Sequence, residues 1–151
     1  MVSAALTDLD LPLWAEELLR DSKVAHLATA DANGRPLVVT ICFVWDGVHL
    51  ISAIDAKPKT TRRLRRVRNI EENPRVSLIV DRWHETWSQL RHVIVDGMAT
   101  IIEDGDAWRG AITALRAKYP QYQAMDVAVD FGAVIRIKPQ AVRCWRGDVD
   151  A

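Results

Sequence analysis

The sequence predicts a mostly β, α+β fold: six antiparallel strands closed into a barrel, with helices at its flanks. Three observations lead there. β-rich runs recur along the chain, and turn signals such as Asn33-Gly34 and Asp46-Gly47 divide them into hairpins. Only two or three segments carry helical apolar spacing. An antiparallel sheet of this size leaves two edges, and closure removes them. With 151 residues, 49% hydrophobic and 26% charged, the chain reads as one domain, 1–151.

The elements follow in order. Asp10-Leu11-Pro12 reads as an N-cap with proline in the first turn, and Leu11, Trp14, Leu18 and Leu19 give a helical stripe ending near Asp21. Val24 to Thr29 is a strand. Asp31-Ala32-Asn33-Gly34 is a turn, and Pro36 opens a long β-rich run from Leu37 to Trp45. Asp46-Gly47 is a two-residue hairpin turn, and the chain returns as a strand from Val48 to Ser52. A helix starting at Thr60 or Thr61 stops before Asn73-Pro74. Arg75 to Val80 alternates as a strand. A polar, tryptophan-containing loop runs from Asp81 to about Leu90. Val93 to Glu103 is a strand with a bulge or close approach at Gly97. Asp104 or Asp106 caps a helix with Trp108, Ile112, Leu115 and Tyr119 on one face, ended by Pro120. A short helical turn is expected within Gln121 to Asp130. Val134 to Trp145 is the last strand, interrupted at Pro139.

Several function classes lose support at once. Lys+Arg and Asp+Glu balance at 20 each, which argues against nucleic acid as the partner. No apolar run is long enough for a membrane helix. The first ten residues lack the basic and apolar regions of a secretory signal. Cys42 and Cys144 are far apart on strands read as buried, so a reduced, cytoplasmic protein is expected. The chain shows no dinucleotide fingerprint, phosphate-binding P-loop or metal-ligand spacing, and no serine has a nearby base. His84 and His92 flank one loop, whereas His26 and His49 read as structural strand residues. No catalytic side chain and no metal site is expected.

One segment stands out. Lys57, Lys59, Arg62 and Arg63 crowd the start of the predicted helix, while Glu71 and Glu72 sit at its end. A helix N-terminus carries partial positive charge, so this order is unfavourable unless an anion sits there. A phosphate fits, because free backbone N–H groups point at it. A charge run on a helix is ordinarily a solvated face. Here Pro58 stiffens the loop, Thr60 and Thr61 are suited to N-capping, and Leu64, Val67 and Glu71 leave only a thin buried edge. Trp83, Trp87 and Trp145 lie in or near loops, where large rings could wall a planar ligand.

The ordered motifs resemble a known family. Val24-Ala25-His26-Leu27-Ala28-Thr29-Ala30-Asp31, Asn33-Gly34-Arg35-Pro36-Leu37-Val38-Val39-Thr40 and Phe43-Val44-Trp45-Asp46-Gly47 come first. Lys57-Pro58-Lys59-Thr60, Asn73 through Asp81, and Trp87 before Val95-Asp96-Gly97-Met98-Ala99 complete the set. Together they are similar to the flavin- and deazaflavin-binding split β-barrels related to pyridoxamine 5′-phosphate oxidase, in the branch of small F420-dependent oxidoreductases. The resemblance implies a homodimer with cofactor sites at the subunit interface. It maps the ring-binding strand onto Leu37, Val38, Val39 and Thr40. It maps the phosphate side onto Ser52, Ala53, Lys57, Lys59 and Thr60, with Arg62 continuing it, and the segment closing the partner's site onto Trp87, Ser88 and Arg91. The run from Arg62 to Arg68 departs from the family pattern.

The function this implies is hydride transfer between F420 and a planar conjugated small molecule, chemistry in which the cofactor performs the hard step. FMN is the alternative cofactor, in a pyridoxamine-phosphate-oxidase-like enzyme. F420 is preferred because Arg62, Arg63 and Arg65 offer charge for its acidic tail. A third reading is a non-catalytic flavin- or haem-binding protein.

Overall fold

A computed structural model describes residues 2–5 as backbone, and residues 10–55 and 64–148 in full. Its frame is one antiparallel sheet of eight strands: β1 (Val2–Ala5), β2 (Ala25–Ala30), β3 (Pro36–Ile41), β4 (Val44–Trp45), β5 (Leu50–Asp55), β6 (Arg75–Arg82), β7 (Arg91–Ile102) and β8 (Phe131–Arg146). Among the described residues the helices are α1 (Leu13–Asp21), α2 (Arg65–Glu72), α3 (Gly105–Lys118) and the single turn α4 (Pro120–Gln123).

The strands run in the order β3-β2-β6-β7-β8-β5-β4, and β1 pairs with the C-terminal half of β8. The margins of that path, β3 and β4, are consecutive in the chain, with only Cys42 and Phe43 between them. The sheet therefore curls into a half-barrel whose margins are joined by the chain itself rather than by a ladder. Tyr119 pins this junction. Its hydroxyl accepts the Phe43 N–H at 2.9 Å and lies 2.8 Å from the carbonyl oxygens of both Phe43 and Lys23.

Strand alternation builds the core. Leu27, Leu78, Val80, Val93 and Val95 point inward, where they meet Ala15, Leu18 and Leu19 of α1 and Val67 and Ile70 of α2. A second cluster forms where Ile112, Leu115 and Tyr119 of α3 pack on Ile51, Phe131 and Val134. The bulge expected at Gly97 is present: Asp96 faces Ala141 while Gly97 faces Pro139, so β8 carries Gln140 as an extra residue.

The mostly β, flanked architecture agrees with the sequence, and several boundaries change. The Leu37–Trp45 run is two strands, because Tyr119 claims the Phe43 backbone. With β1, this raises the count from six strands to eight. Pro12, not Asp10, stands at the α1 N-cap, its carbonyl accepting the first intrahelical bonds. The hairpin tip is Gly47-Val48, one residue later than expected, since Asp46 N–H bonds the His49 carbonyl and Gly47 takes φ +93°. The following strand then runs Leu50–Asp55, and His49 belongs to the turn. α2 starts at Arg65, because Leu64 is extended at ψ 145°. Its buried residues are Val67, Asn69 and Ile70, not the Leu64–Val67–Glu71 stripe. Pro139 does not interrupt β8, as the bulge absorbs it.

Candidate functional site

The strand expected to carry a cofactor ring, β3, is launched by the Asp31–Gly34 turn. The Asp31 carboxylate accepts the backbone N–H groups of Asn33 and Arg35 at 2.9 Å each, and Gly34 supplies φ +79°. The Arg35 N–H above all holds the Asp31 carboxyl below its ordinary range. β3 pairs with β2 on one side and has no strand partner on the other among the described residues. Alternate residues of such an edge present free N–H and C=O groups. The four predicted residues divide by alternation. Val38, 66% exposed, and Thr40 face outward, whereas Leu37 and Val39 are half-buried and Val39 packs on the core. Beside Val38 on β2 is Ala28, and beside Pro36 is Ala30, so small side chains flank the strand on this face.

Lys57, Lys59, Thr60 and Arg62 lie outside the described residues. Their anchors do not. The chain leaves the sheet at Asp55 and re-enters at Leu64, and Asp55 is close enough to Arg66 to favour its charged form. α2 retains the unfavourable polarity: no acidic residue lies in its first turn and no basic residue in its last, and Leu64 gives it no side-chain cap. Burial lowers the Arg66 pKa, and among the described residues its buried Nε has no hydrogen-bond partner. Ser52 is only 4% exposed, so its hydroxyl is turned into the protein; Ala53 is half-buried. β4 pairs only with Leu50 and Ile51, so the strand edge beyond them is uncovered by β4.

Trp87 and Ser88 sit in a 3-10 turn, Trp87–Gln89, at the tip of the β6–β7 hairpin. Trp87 is 70% exposed and Trp83 65%. Arg91 binds its own protomer: Nη1 donates to the Ser88 and Leu90 carbonyls at 3.0 and 2.8 Å, and Nη2 lies 3.5 Å from Asp148. A Cβ on Gly147 would be driven into the Trp87 carbonyl, so glycine is required where the C-terminal segment passes this turn. The Trp87 turn and Asp55, where the chain leaves the sheet, occupy opposite ends of the sheet. The 12 residues of β7 separate them, about 35 Å of strand at ~3.3 Å per residue.

Trp145 stacks on His92 at 5.3 Å, and His84 Nδ1 accepts the Thr86 N–H, so these loop-region groups serve local packing. Cys42 is exposed at the β3–β4 junction rather than buried in a strand. Cys144 lies on β8, which does not neighbour β3, and both thiols are free. Among the described residues no group of acids, histidines and cysteines is arranged to hold a metal. No helix is long and apolar enough to cross a membrane.

Sequence reasoning missed two polar constellations. Asn69 Nδ2 donates to Thr29 Oγ1 at 3.0 Å, both residues being buried, which ties α2 to β2. On the outer face, Ser77 donates to Asp96 at 2.7 Å, and Arg143 lies 3.2 Å from the same carboxylate. Ser77 alternating with the apolar residues of β6 was the available signal for the second. The first had none, since an asparagine within a charged helix reads as exposed.

Residues 14–146 match the family model described as pyridoxamine 5′-phosphate oxidase. No curated protein matches the chain significantly in sequence. Solved structures share the fold. An F420 reductase aligns at 25% identity and TM-score 0.61, over 88% of this chain and 98% of its own. The haem storage protein HutZ from Vibrio cholerae aligns at 24% identity and TM-score 0.66, over 85% and 89%. A putative pyridoxamine 5′-phosphate oxidase from Listeria innocua aligns at 18% identity and TM-score 0.61, over 85% and 93%. With the edge strand and the curled antiparallel sheet, the match over most of its length means that the chain belongs to the pyridoxamine 5′-phosphate oxidase family of flavin-binding split barrels.

Proposed function

We propose that this protein is an F420-dependent oxidoreductase that seats the deazaflavin along β3, at the interface of two copies, and passes hydride to a planar conjugated molecule. The observation that carries the reading is the edge of β3. It has no strand partner on one side among the described residues, beside an exposed Val38–Thr40 face. A flat ring with polar edges fits such a surface: backbone N–H and C=O meet its heteroatoms, and small side chains admit its face. When bound, the deazaflavin supplies the hydride chemistry. The protein's part is to position and to exclude water. β3 orients the ring, and its N–H groups stabilise negative charge at the ring edge.

At the phosphate end, the sequence between Asp55 and Leu64 carries Lys57, Lys59, Thr60 and Arg62. Arg65 and Arg68 in the described part of α2 continue the positive field. The separation between this end and Trp87 supports a two-copy site. One protomer cannot close both ends around a single ligand, whereas a second copy running the other way brings its Trp87 and Ser88 to the open side. FMN is the second reading, favoured by the family itself, whose flavin carries one phosphate.

Tryptophan-fluorescence quenching tests the proposal. F420 is expected to quench at micromolar concentration and to bind more tightly than FMN, and Lys57→Ala with Lys59→Ala is expected to weaken binding by about 2–4 kcal/mol without unfolding the protein. Tighter binding of FMN reverses the cofactor assignment. No binding of either removes the reading.

A further inference from the structure

The outer face of the sheet holds a second feature beside β3. A cavity of about 400 Å3 is lined by residues of five strands, among them Ala28, Arg75, Ser77, Asp96, Gly97 and Gln140. Strand register places it. Val38 faces Ala28, Ala28 faces Ser77, and Ser77 faces Asp96, so these four residues form one row across the outer face. At ~4.8 Å per strand, the Ser77 position lies about 10 Å from Val38. Pro36 of β3 also lines the cavity, so the cavity adjoins the proposed cofactor strand on the same face and extends from there to Asp96 and Gln140.

Its charges are unequal. Asp96 is already satisfied, by the Ser77 hydroxyl at 2.7 Å and Arg143 at 3.2 Å. Arg75, two residues from Ser77 and therefore on the same face, is exposed, and no carboxylate pairs with its side chain among the described residues. Much of the remaining lining is small or apolar: Ala28, Ala30, Pro36, Val76 and Gly97. Gly97 contributes backbone to the lining, and its lack of a Cβ lets β7 lie close against Lys138 of β8. The β8 bulge adds Gln140 to the wall. A flat apolar floor with one unneutralised guanidinium at its rim matches a planar molecule bearing a carboxylate, which the arginine fork can grip through two parallel hydrogen bonds.

We propose that this cavity is the seat of the hydride acceptor, and that the acceptor is an aromatic or conjugated carboxylic acid whose carboxylate is held by Arg75. The role as acceptor seat rests on the reading of β3 as the cofactor strand; the preference for a flat acid does not. The experiment uses 2-naphthoate and its neutral amide, 2-naphthamide, titrated by NMR or calorimetry into the full-length protein, alone and saturated with F420. Naphthoate is expected to bind at least tenfold tighter than naphthamide, and Arg75→Gln is expected to erase that difference. Equal binding of the two probes, binding of neither, or an acid preference that survives Arg75→Gln overturns the carboxylate assignment. With F420 present, naphthoate affinity is expected to stay within about threefold of its value in the free protein. Displacement of naphthoate by F420 overturns the acceptor-seat assignment, because the cavity then belongs to the cofactor. Failure of F420 to quench tryptophan, with the acid preference intact, counts against the β3 reading alone.

Discussion

The two faces of the same strands behave as two different materials. Inward, Leu27, Leu78, Val80, Val93 and Val95 are buried to 1% exposure or less and close-packed with α1 and α2. Outward, their neighbours Ala28, Ser77 and Asp96 are small or polar and half-buried, and Val38 and Thr40 are exposed. The inner face makes the fold, whereas the outer face is left for a ligand or a second copy. Paired truncations measure that contrast. Leu27→Ala is expected to cost about 2–5 kcal/mol in urea unfolding, as a deleted core leucine does. Val38→Ala, one strand away, is expected to stay within about 0.5 kcal/mol while weakening F420 binding. Comparable stability losses at the two positions would mean that the outer face is core after all.

The bulge at Gly97 joins the faces, because it lets β7 and β8 approach closely while aligning residues on both sides. A Cβ there would lie 2.5 Å from the Lys138 carbonyl oxygen and 2.9 Å from Ile137 Cγ2. Backbone must move to admit it. Gly97→Ala is expected to lower stability by about 1–3 kcal/mol and to shift amide resonances along β8 from Ile137 to Ala141. A smaller loss is expected at the α2 end. Asn69→Ala leaves the buried Thr29 hydroxyl without its donor, costing about 1–2 kcal/mol. If that bond matters only for stability, F420 affinity will not change. If it sets the direction in which α2 presents Arg65 and Arg68, affinity will fall as well, and Asn69→Asp, which keeps an acceptor but adds charge, will not restore it.

The inner face was largely readable from sequence and the outer one only in part, for a physical reason. Burial imposes period-2 alternation, so Val76, Leu78 and Val80 announced β6, and the Leu115–Tyr119 spacing announced α3. Boundaries moved where a tertiary hydrogen bond outweighed local propensity. Nothing near Phe43 in sequence says that Tyr119, 76 residues away, takes its N–H and splits the strand. β1 escaped notice because a four-residue strand laid against β8 needs no alternation of its own. At the site, β3 came through a family motif, and its division into outward Val38 and Thr40 and inward Leu37 and Val39 followed once the register was known. Arg75, Ser77, Asp96 and Arg143 come from three strands distant in sequence, so only the fold brings them together.

The smallest effect concerns a cation at the margin junction. Lys118 Nζ is buried, has no hydrogen-bond partner among the described residues and lies 4.1 Å from the centre of the Phe43 ring. Burial, aided by Lys23, lowers its pKa from 10.5 to about 8, while the ring face returns part of the cost of the charge. Between pH 8 and 10.5 the unfolded chain holds a proton that the folded protein has lost, so stability rises with pH across that window. Burial pushes Tyr119 and Tyr122 the other way, from 10.0 up to about 12. Above pH 10 the unfolded chain releases protons that the folded protein keeps, and stability falls. The thermal midpoint is therefore expected to climb by a few degrees from pH 8, crest near pH 10 and decline beyond it. Lys118→Met is expected to remove the climb, raise the midpoint at pH 7 and leave the decline untouched, because the methionine keeps the contact with Phe43 and carries no charge to desolvate. A climb that persists in Lys118→Met would assign the titration to another group and leave the lysine as ordinary packing.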